Sequence, residues 1–336
     1  MINNKKHIRR TAWLLAATLF LASFLSACGS DKKKTVSKTS FLLNTEVTIT
    51  LYGTDDDSLL TECFSLCREY EDKFSRTEKD SELSRLNRRE TDTASEDTLD
   101  LIRAGLSYSA LSGGAFDITI GSCSSLWDFT AEAPSVPDEA ALAEGLSHVG
   151  YKKLSMDGNR ILFSDDGTML DLGAIAKGYI ADRLKEFLAE KGVKSAIISL
   201  GGNILCVGKK PDGSDFRIGI QKPFEEQGTP LLTVDIDGWS VVTSGIYERY
   251  FEQDGVLYHH ILDPSTGYPC DNGLLSVTIL SEASVDGDAL STACFSLGME
   301  KGMALIDSLE NIYAVFITED GQVHYSAGFT DAFSVN

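Results

Sequence analysis

The chain has 336 residues, and its 30 Lys and Arg stand against 50 Asp and Glu for a formal net charge of −20. So acidic a composition excludes non-specific nucleic-acid binding, which needs clustered basic side chains to displace phosphate counterions, and no nucleic acid is expected as a partner. The length suits one large domain or two small ones. The sequence shows no internal repeat and no low-complexity tract.

Residues 1–27 read as an export signal. Lys5, Lys6, Arg9 and Arg10 precede an apolar run, Ala12–Leu25, that is short for a membrane span and ends in small residues at Leu25-Ser26-Ala27-Cys28. An uncleaved N-terminal membrane helix is the other reading of that run. The Leu-Ser-Ala-Cys ending resembles the lipobox of bacterial lipoproteins. The resemblance implies cleavage before Cys28, lipidation of its thiol, and a protein anchored to the extracytoplasmic face of the cell membrane rather than spanning it. Residues 28–40 are polar and read as the lipidated Cys and a flexible tether, followed by one domain over 41–336. Without the signal, 26 basic residues face 50 acidic ones. No second run long enough to span a bilayer follows Cys28. Six further cysteines contain no C-x-x-C pair, which argues against a zinc ribbon. Cys63 and Cys67 are spaced i, i+4 on an amphipathic helix, and Cys206 and Cys294 fall in apolar runs, so buried free thiols are expected.

Within the domain, Phe41–Tyr52 alternates Val47, Ile49 and Leu51 with Thr48 and Thr50, the pattern of one half-buried strand. Asp55–Phe74 predicts a helix whose inner stripe is Leu59, Leu60, Cys63, Phe64, Cys67, Tyr70 and Phe74. Ser81 is placed to cap a short helix to Asn87, and Thr98–Leu111 predicts another. Gly113-Gly114-Ala115-Phe116-Asp117 then opens an irregular stretch to Trp127; its two glycines either let the backbone approach a ligand or stop the helix. Asp138–Leu146 predicts a surface helix and Leu154–Phe163 a hairpin turning at Asp157-Gly158.

Met169–Asp182 reads as a strand end that delivers Asp171, a turn at Gly173 and a helix running to about Glu190. Its small residues let the helix start lie close to something. Free N–H groups and the positive dipole end favour phosphate oxygens there, and Lys177 adds a mobile charge; tight helix–sheet packing without a ligand is the alternative. Strands are expected at Ser195–Leu200, Ile204–Gly208, Phe216–Gln221, Leu231–Ile236, Ser240–Ser244 and Leu274–Leu280. A hairpin over Tyr247–Leu262 turns near Asp254-Gly255 and carries His259-His260 towards Asp263. A helix starting at Asp286, a helix over Gly302–Leu309, and strands Tyr313–Thr318 and Val323–Ala327 complete the domain. Mixed helices and antiparallel hairpins give an α+β class.

On the helix Asp286–Gly298, Asp288 and Thr292 share a face. One carboxylate and one hydroxyl suit a hard cation such as Mg²⁺ held by few protein ligands and by substrate phosphates; a capped core helix whose Thr bonds back to residue i−4 is the plainer reading. Rossmann, H-E-x-x-H and G-x-S-x-G patterns are missing. Gly173–Gly178 has the Walker glycine spacing, with Tyr179 where the Lys belongs. His260 can act as a base or phosphate contact, since neutral imidazole accepts a proton near neutral pH, or can be a packed hairpin histidine; His259 faces the other side.

Six pieces stand in order: G-G-A-F-D at 113–117, D-L-G-A-I-A-K-G-Y at 171–179, S-L-G-G-N at 199–203, V-V-T-S-G at 241–245, H-H-I-L-D-P-S-T-G at 259–267 and D-A-L-S-T-A at 288–293. Together they resemble the ApbE family of FAD:protein FMN transferases, over about Phe74–Phe329. The resemblance implies a T-fold-related arrangement of mixed sheets with flanking helices. It implies FAD in a cleft with Mg²⁺ on its pyrophosphate, and transfer of FMN to a Thr or Ser hydroxyl of another protein as AMP leaves. By motif position it makes Asp288 and Thr292 metal ligands, with the backbone carbonyls of Ala174 and Ser291. Ala115, Phe116 and Asp117 match the segment at the adenine end, Asp171 and Lys177 further FAD contacts, Leu262 a backbone contact, and His260 the catalytic position. Leu43 and Thr77 stand where the family often has Met and an aromatic ring that contact the dinucleotide. A missing stacking partner forfeits about 1–3 kcal/mol. Expected acceptors are exported or membrane-bound proteins carrying a target Thr or Ser, such as subunits of membrane redox pumps. The rival readings are a Mg²⁺-dependent FAD pyrophosphatase giving FMN and AMP, and a flavin-binding lipoprotein without turnover. A solute-binding lipoprotein would need two similar lobes, which the sequence lacks.

Overall fold

A computed structural model describes residues 34–336. The signal region, Cys28 and the first part of the expected tether lie outside the described residues. Strands β1 (Thr35–Leu42), β2 (Thr45–Tyr52), β5 (Ala196–Leu200), β6 (Asn203–Val207), β9 (Ser240–Gly245), β12 (Leu274–Ser281), β13 (Ile312–Thr318) and β14 (Val323–Tyr325) form one sheet in that order. Every pairing in it is antiparallel. Three two-stranded ribbons stand apart: β3 (Leu154–Asp157) with β4 (Arg160–Phe163), β7 (Phe216–Gln221) with β8 (Pro230–Ile236), and β10 (Tyr250–Gln253) with β11 (Val256–His259). The helices are α1 (Ser58–Phe74), α2 (Glu82–Asn87), α3 (Glu96–Leu111), α4 (Gly121–Ser124), α5 (Glu139–Ser147), α6 (Ala176–Glu190), α7 (Ser284–Leu297), α8 (Met299–Asp307) and α9 (Phe329–Ala332).

The alternation of the strands sorts side chains to two cores. Val47, Ile49, Leu51, Ile198 and Leu200 pack with α1, α3 and α6, and Val277, Ile279, Ala314 and Phe316 pack with α7 and α8. On the other face Val241, Leu280, Val315 and Ile317 meet Phe216, Ile218 and Val234 of the β7–β8 ribbon and Phe329 of α9. The result is an α+β domain with the longer helices on one face of the sheet, and the β7–β8 ribbon and short α9 on the other. All six cysteines among the described residues are free and buried. No helix among those residues is long and apolar enough to cross a membrane.

Two sequence expectations are corrected here. The segment over 41–52 is a hairpin rather than one strand: β1 and β2 are joined by Leu43-Asn44, both with positive φ (54° and 57°). That is the backbone of a two-residue primed turn, normally signalled by Asn-Gly or Asp-Gly, so Leu-Asn hid it. The Leu43 amide is held by Glu71 Oε1 at 2.8 Å. The stretch assigned to the tether also enters the fold, since β1 begins at Thr35. Its polar residues make an edge strand bound by cross-strand hydroxyl pairs, Ser37–Thr50 and Thr39–Thr48, each at 2.8 Å. The four-residue helices α4, inside the stretch expected to be irregular, and α9 were not anticipated.

Helices α6 and α7 cross closely at their N-terminal ends. A Cβ on Gly178 would lie 2.4 Å from the Ser284 carbonyl oxygen and 2.6 Å from Val285 Cα. Gly178→Ala should therefore lower unfolding free energy by about 1–3 kcal/mol through overpacking. Urea denaturation checks this, and an unchanged midpoint would mean that the two helices have room to spare.

Candidate functional site

The turn at Leu43-Asn44, the Gly201-Gly202 turn, and the end of β9 fall along one end of the sheet, because β2 starts where β5 ends and β6 starts where β9 ends. Helix α7 lies across β9 and β12, and the first turn of α6 abuts it. This brings together the residues expected to grip a cation. Asp288 is buried, and its Oδ2 accepts the Gly178 amide at 2.8 Å. Gly178 is the third residue of α6, and the amides of a helix's first turn have no acceptor inside it. Among the described residues no hydrogen bond ends on the Ala174 carbonyl, which precedes the helix. Asp288 Oδ1 faces Lys177 Nζ at 3.7 Å, and Lys177 Nζ also donates to the Gly173 carbonyl at 3.1 Å.

The hydroxyls divide between structure and opening. Ser291 is fully buried, 2.8 Å from Ser244 Oγ, and donates to the Asp288 carbonyl at 2.9 Å. Thr292 is only half-buried, its Oγ1 3.1 Å from Ser244 Oγ. Among the described residues no group of three or more His, Cys, Asp or Glu side chains could hold a metal. The corner offers one carboxylate, one accessible hydroxyl and one unbonded carbonyl. A hard cation accepts that set when water and phosphate complete its shell, so these residues fit Mg²⁺ better than a nitrogen- or sulfur-seeking metal.

A second group continues from the turn before α6. Asp171 accepts from the Gly173 amide at 2.9 Å, the Ser124 hydroxyl at 2.6 Å and Arg76 Nε at 3.1 Å. Burial works to raise its carboxyl, but Arg76, Ser124 and Gly173 outweigh that and hold it below its ordinary value. Asp171 therefore stays charged and fixes the turn. Thr77 is exposed, 3.2 Å from the Ser75 hydroxyl, and its ring-less side chain offers nothing to stack on.

Ala115, Phe116 and Asp117 lie against this turn, since the Asp171 amide donates to the Ile118 carbonyl at 2.8 Å. Phe116 is buried edge-on to Tyr108. Asp117 is buried too, and accepts the Thr119 amide and hydroxyl at 2.8 and 2.6 Å and the Tyr151 amide at 2.7 Å. It shapes its loop, and burial raises its carboxyl despite those donors. Leu262 is buried beside Cys123, Trp127 and Leu142, next to the α4 turn that supplies Ser124.

The paired histidines separate as the alternation predicts. His259 is buried edge-on to Phe295, with Nε2 donating to the Cys270 carbonyl at 2.9 Å and Nδ1 accepting the Ile261 amide at 3.3 Å. His260 is half-buried on the other side, its amide on the Arg249 carbonyl at 3.1 Å and its Nδ1 3.4 Å from the same oxygen. Burial, then the charges of Arg249, His259 and Lys177, push His260 down to about 3. Arg249 also donates to the Asn44 carbonyl at 2.8 Å, tying the Leu43 turn to this wall.

Sequence reasoning missed Arg76, Ser124, Arg249 and Asp182. Arg76 stands one residue before the noted Thr77, while Arg249 has no local pattern to mark it. Asp182 closes the 169–182 motif; it accepts the Ser284 and Val285 amides at 2.8 and 2.9 Å, and burial pushes its carboxyl up to about 6.

Comparison with known proteins gives a consistent result. A family model described as the ApbE family matches residues 43–317. A protein of Klebsiella pneumoniae named FAD:protein FMN transferase is 38% identical, over 87% of this chain and 92% of its own length. One of the same name from Treponema pallidum is 33% identical over 96% of both chains. Among solved structures, the flavin transferase ApbE of Vibrio cholerae superposes with a TM-score of 0.80 at 30% identity, covering 89% of this chain and 99% of that one. The ApbE protein of Thermotoga maritima does so at 0.81 and 32% identity, covering 88% and 98%.

The depressed His260 value has a sign that can be tested. Between about pH 3 and 6.5 the unfolded chain holds a proton on this ring and the folded chain does not. The residue's contribution to stability is therefore present above 6.5 and lost as pH falls towards 3. NMR of the His260 ring protons should show no titration between pH 8 and 5; a midpoint near the ordinary histidine value would contradict the geometry.

Proposed function

The chain belongs to the ApbE family and is a flavin transferase that moves FMN from FAD to protein, and from that premise we propose that the corner between α6 and α7 is where the FAD diphosphate is held and broken. The observation that carries this reading is the corner itself: the Gly178 N–H anchors the Asp288 carboxylate at the start of α6, where the Ala174 carbonyl accepts no hydrogen bond among the described residues, and Thr292 stands one turn along the same face of α7. In this reading Asp288, Thr292 and the Ala174 carbonyl, with the Ser291 carbonyl nearby, hold Mg²⁺. The ion, when bound, neutralises diphosphate charge that a protein with this excess of carboxylates would otherwise repel.

The chain's own residues do the rest. Lys177 lies between the Gly173 carbonyl and Asp288, and supplies a positive charge to a phosphate oxygen. Asp171, Arg76 and Ser124 fix the turn before the helix, and Ala115, Phe116 and Asp117 shape the wall for the adenine end. Leu43, Thr77 and the Leu262 backbone border the remaining dinucleotide. His260 is the catalytic residue: with Nδ1 turned to the Arg249 carbonyl, Nε2 keeps its lone pair for the proton of the acceptor hydroxyl. An anionic phosphate beside the ring raises its proton affinity from the low value of the free protein. The hydroxyl oxygen of an acceptor Thr or Ser bonds to the FMN phosphorus as the bond to AMP breaks, and positioning with charge neutralisation supplies the rate.

We also propose that Cys28 is the lipidated residue, so that the domain is held at the extracytoplasmic face of the cell membrane and acts on exported or membrane-bound acceptors, redox-pump subunits among them. The signal-like residues 1–27 and the Leu-Ser-Ala-Cys ending support this. A Cys28→Ser chain expressed in its host should move from the membrane fraction to the soluble one; retention in the membrane would contradict the anchor.

Mature protein incubated with FAD, Mg²⁺ and candidate exported proteins should leave an FMN-sized mass increment on a Thr or Ser. Asp288→Ala should cut the rate by about 100-fold or more. Release of FMN and AMP with no increment on any partner would make the enzyme a hydrolase acting through the same site.

A further inference from the structure

Helices α6 and α7 cap one another. Asp288, in the second turn of α7, accepts the Gly178 amide in the first turn of α6 at 2.8 Å. Asp182, in the second turn of α6, accepts the amides of Ser284 and Val285, the first residues of α7, at 2.8 and 2.9 Å. The first amides of a helix have no partner inside it and attract negative charge. Neither helix answers that need itself, since the preceding residues Ile175 and Ala283 make no side-chain cap. Gly178 lets the exchange happen, because any Cβ there would strike the Ser284 carbonyl. The start of α7 is held from two other sides: Ser284 Oγ donates to Asn203 Oδ1 at 2.9 Å, and the Tyr108 hydroxyl donates to Asp286.

We propose that Asp182 is a positioning residue for cation binding: it fixes the seating of α7 against α6 that turns Asp288 and Thr292 towards the Ala174 carbonyl, while touching neither cation nor FAD. The inference rests on the assignment of that corner to a divalent cation. Groups that orient a metal's ligands typically change its affinity about 10–100-fold when altered. The coupling is reciprocal, so the ion must also steady the Asp182 contacts with Ser284 and Val285.

Asp182→Asn keeps the size and one acceptor oxygen but turns an NH₂ group towards a backbone N–H. In the mature full-length chain with FAD, Mg²⁺ titrated calorimetrically should bind about 10-fold or more weakly in this variant. The far-UV circular dichroism should match the parent, and the FAD cleavage rate should recover at saturating Mg²⁺. Unchanged Mg²⁺ affinity, or a rate loss that excess Mg²⁺ does not restore, would overturn the proposal. Hydrogen exchange on the unaltered protein gives a reading independent of the variant's folding: Mg²⁺ should slow exchange at Ser284 and Val285, and no change there would also overturn it. An unaltered chain that binds no Mg²⁺ with FAD present refutes the cation assignment itself, whereas tight binding with an unaffected Asp182→Asn refutes only the role of Asp182.

Discussion

The arrangement turns on where one backbone amide goes. The Gly178 N–H lies in the first turn of α6, where no carbonyl of the helix can accept it. Asp288 reaches across from the neighbouring helix and takes the donor at 2.8 Å. The carboxylate is thereby fixed at the start of α6, where the Ala174 carbonyl accepts no hydrogen bond among the described residues, and half-buried Thr292 stands one turn along the same face of α7. The close crossing at Gly178, the serine cluster behind Thr292 and the pairing of β9 with β12 serve to keep that reach fixed.

The surroundings reconcile an acidic protein with an anionic substrate. The positive groups near the corner are few and individually placed: Lys177 on the first turn of α6, Arg76 on Asp171, Arg249 on the Asn44 carbonyl. Arg76 and Arg249 are committed to holding turns, while Lys177 lies between the Gly173 carbonyl at 3.1 Å and the Asp288 carboxylate at 3.7 Å. Burial first, and then the charges of Arg249, His259 and Lys177, keep His260 neutral. In the proposed site, local donors and an ion, rather than the overall charge, would govern phosphate binding.

Most elements were legible because their signals are local and periodic. The stripe Leu60, Cys63, Phe64, Cys67, Tyr70 and Phe74 is buried as its spacing requires, Ser81 caps its short helix through the Ser84 amide, and the Asp157-Gly158 hairpin forms as read. What could not be read depends on partners far apart in sequence. The Leu43-Asn44 turn has poor turn chemistry and is held by Glu71, 28 residues away. Its first strand looks like a polar tether until Thr48 and Thr50 supply hydroxyl partners. In the site, the shared face of Asp288 and Thr292 followed from helical spacing, whereas the Asp288–Gly178 bond joins residues 110 positions apart and Asp182–Ser284 residues 102 apart. Asp117 combines both: its motif suggested a ligand contact, and its carboxylate accepts from Thr119 in its own loop and from the Tyr151 amide, 34 residues on.

The most direct test of this account is a crystal structure of the protein with FAD and Mn²⁺ in place of Mg²⁺, read from the anomalous signal of the metal. The account requires the peak between the Asp288 carboxylate, the Thr292 hydroxyl and the Ala174 carbonyl, with the FAD diphosphate as its other neighbour and Lys177 drawn to a phosphate oxygen. A metal peak elsewhere, or FAD bound with its diphosphate remote from the start of α6, would contradict it.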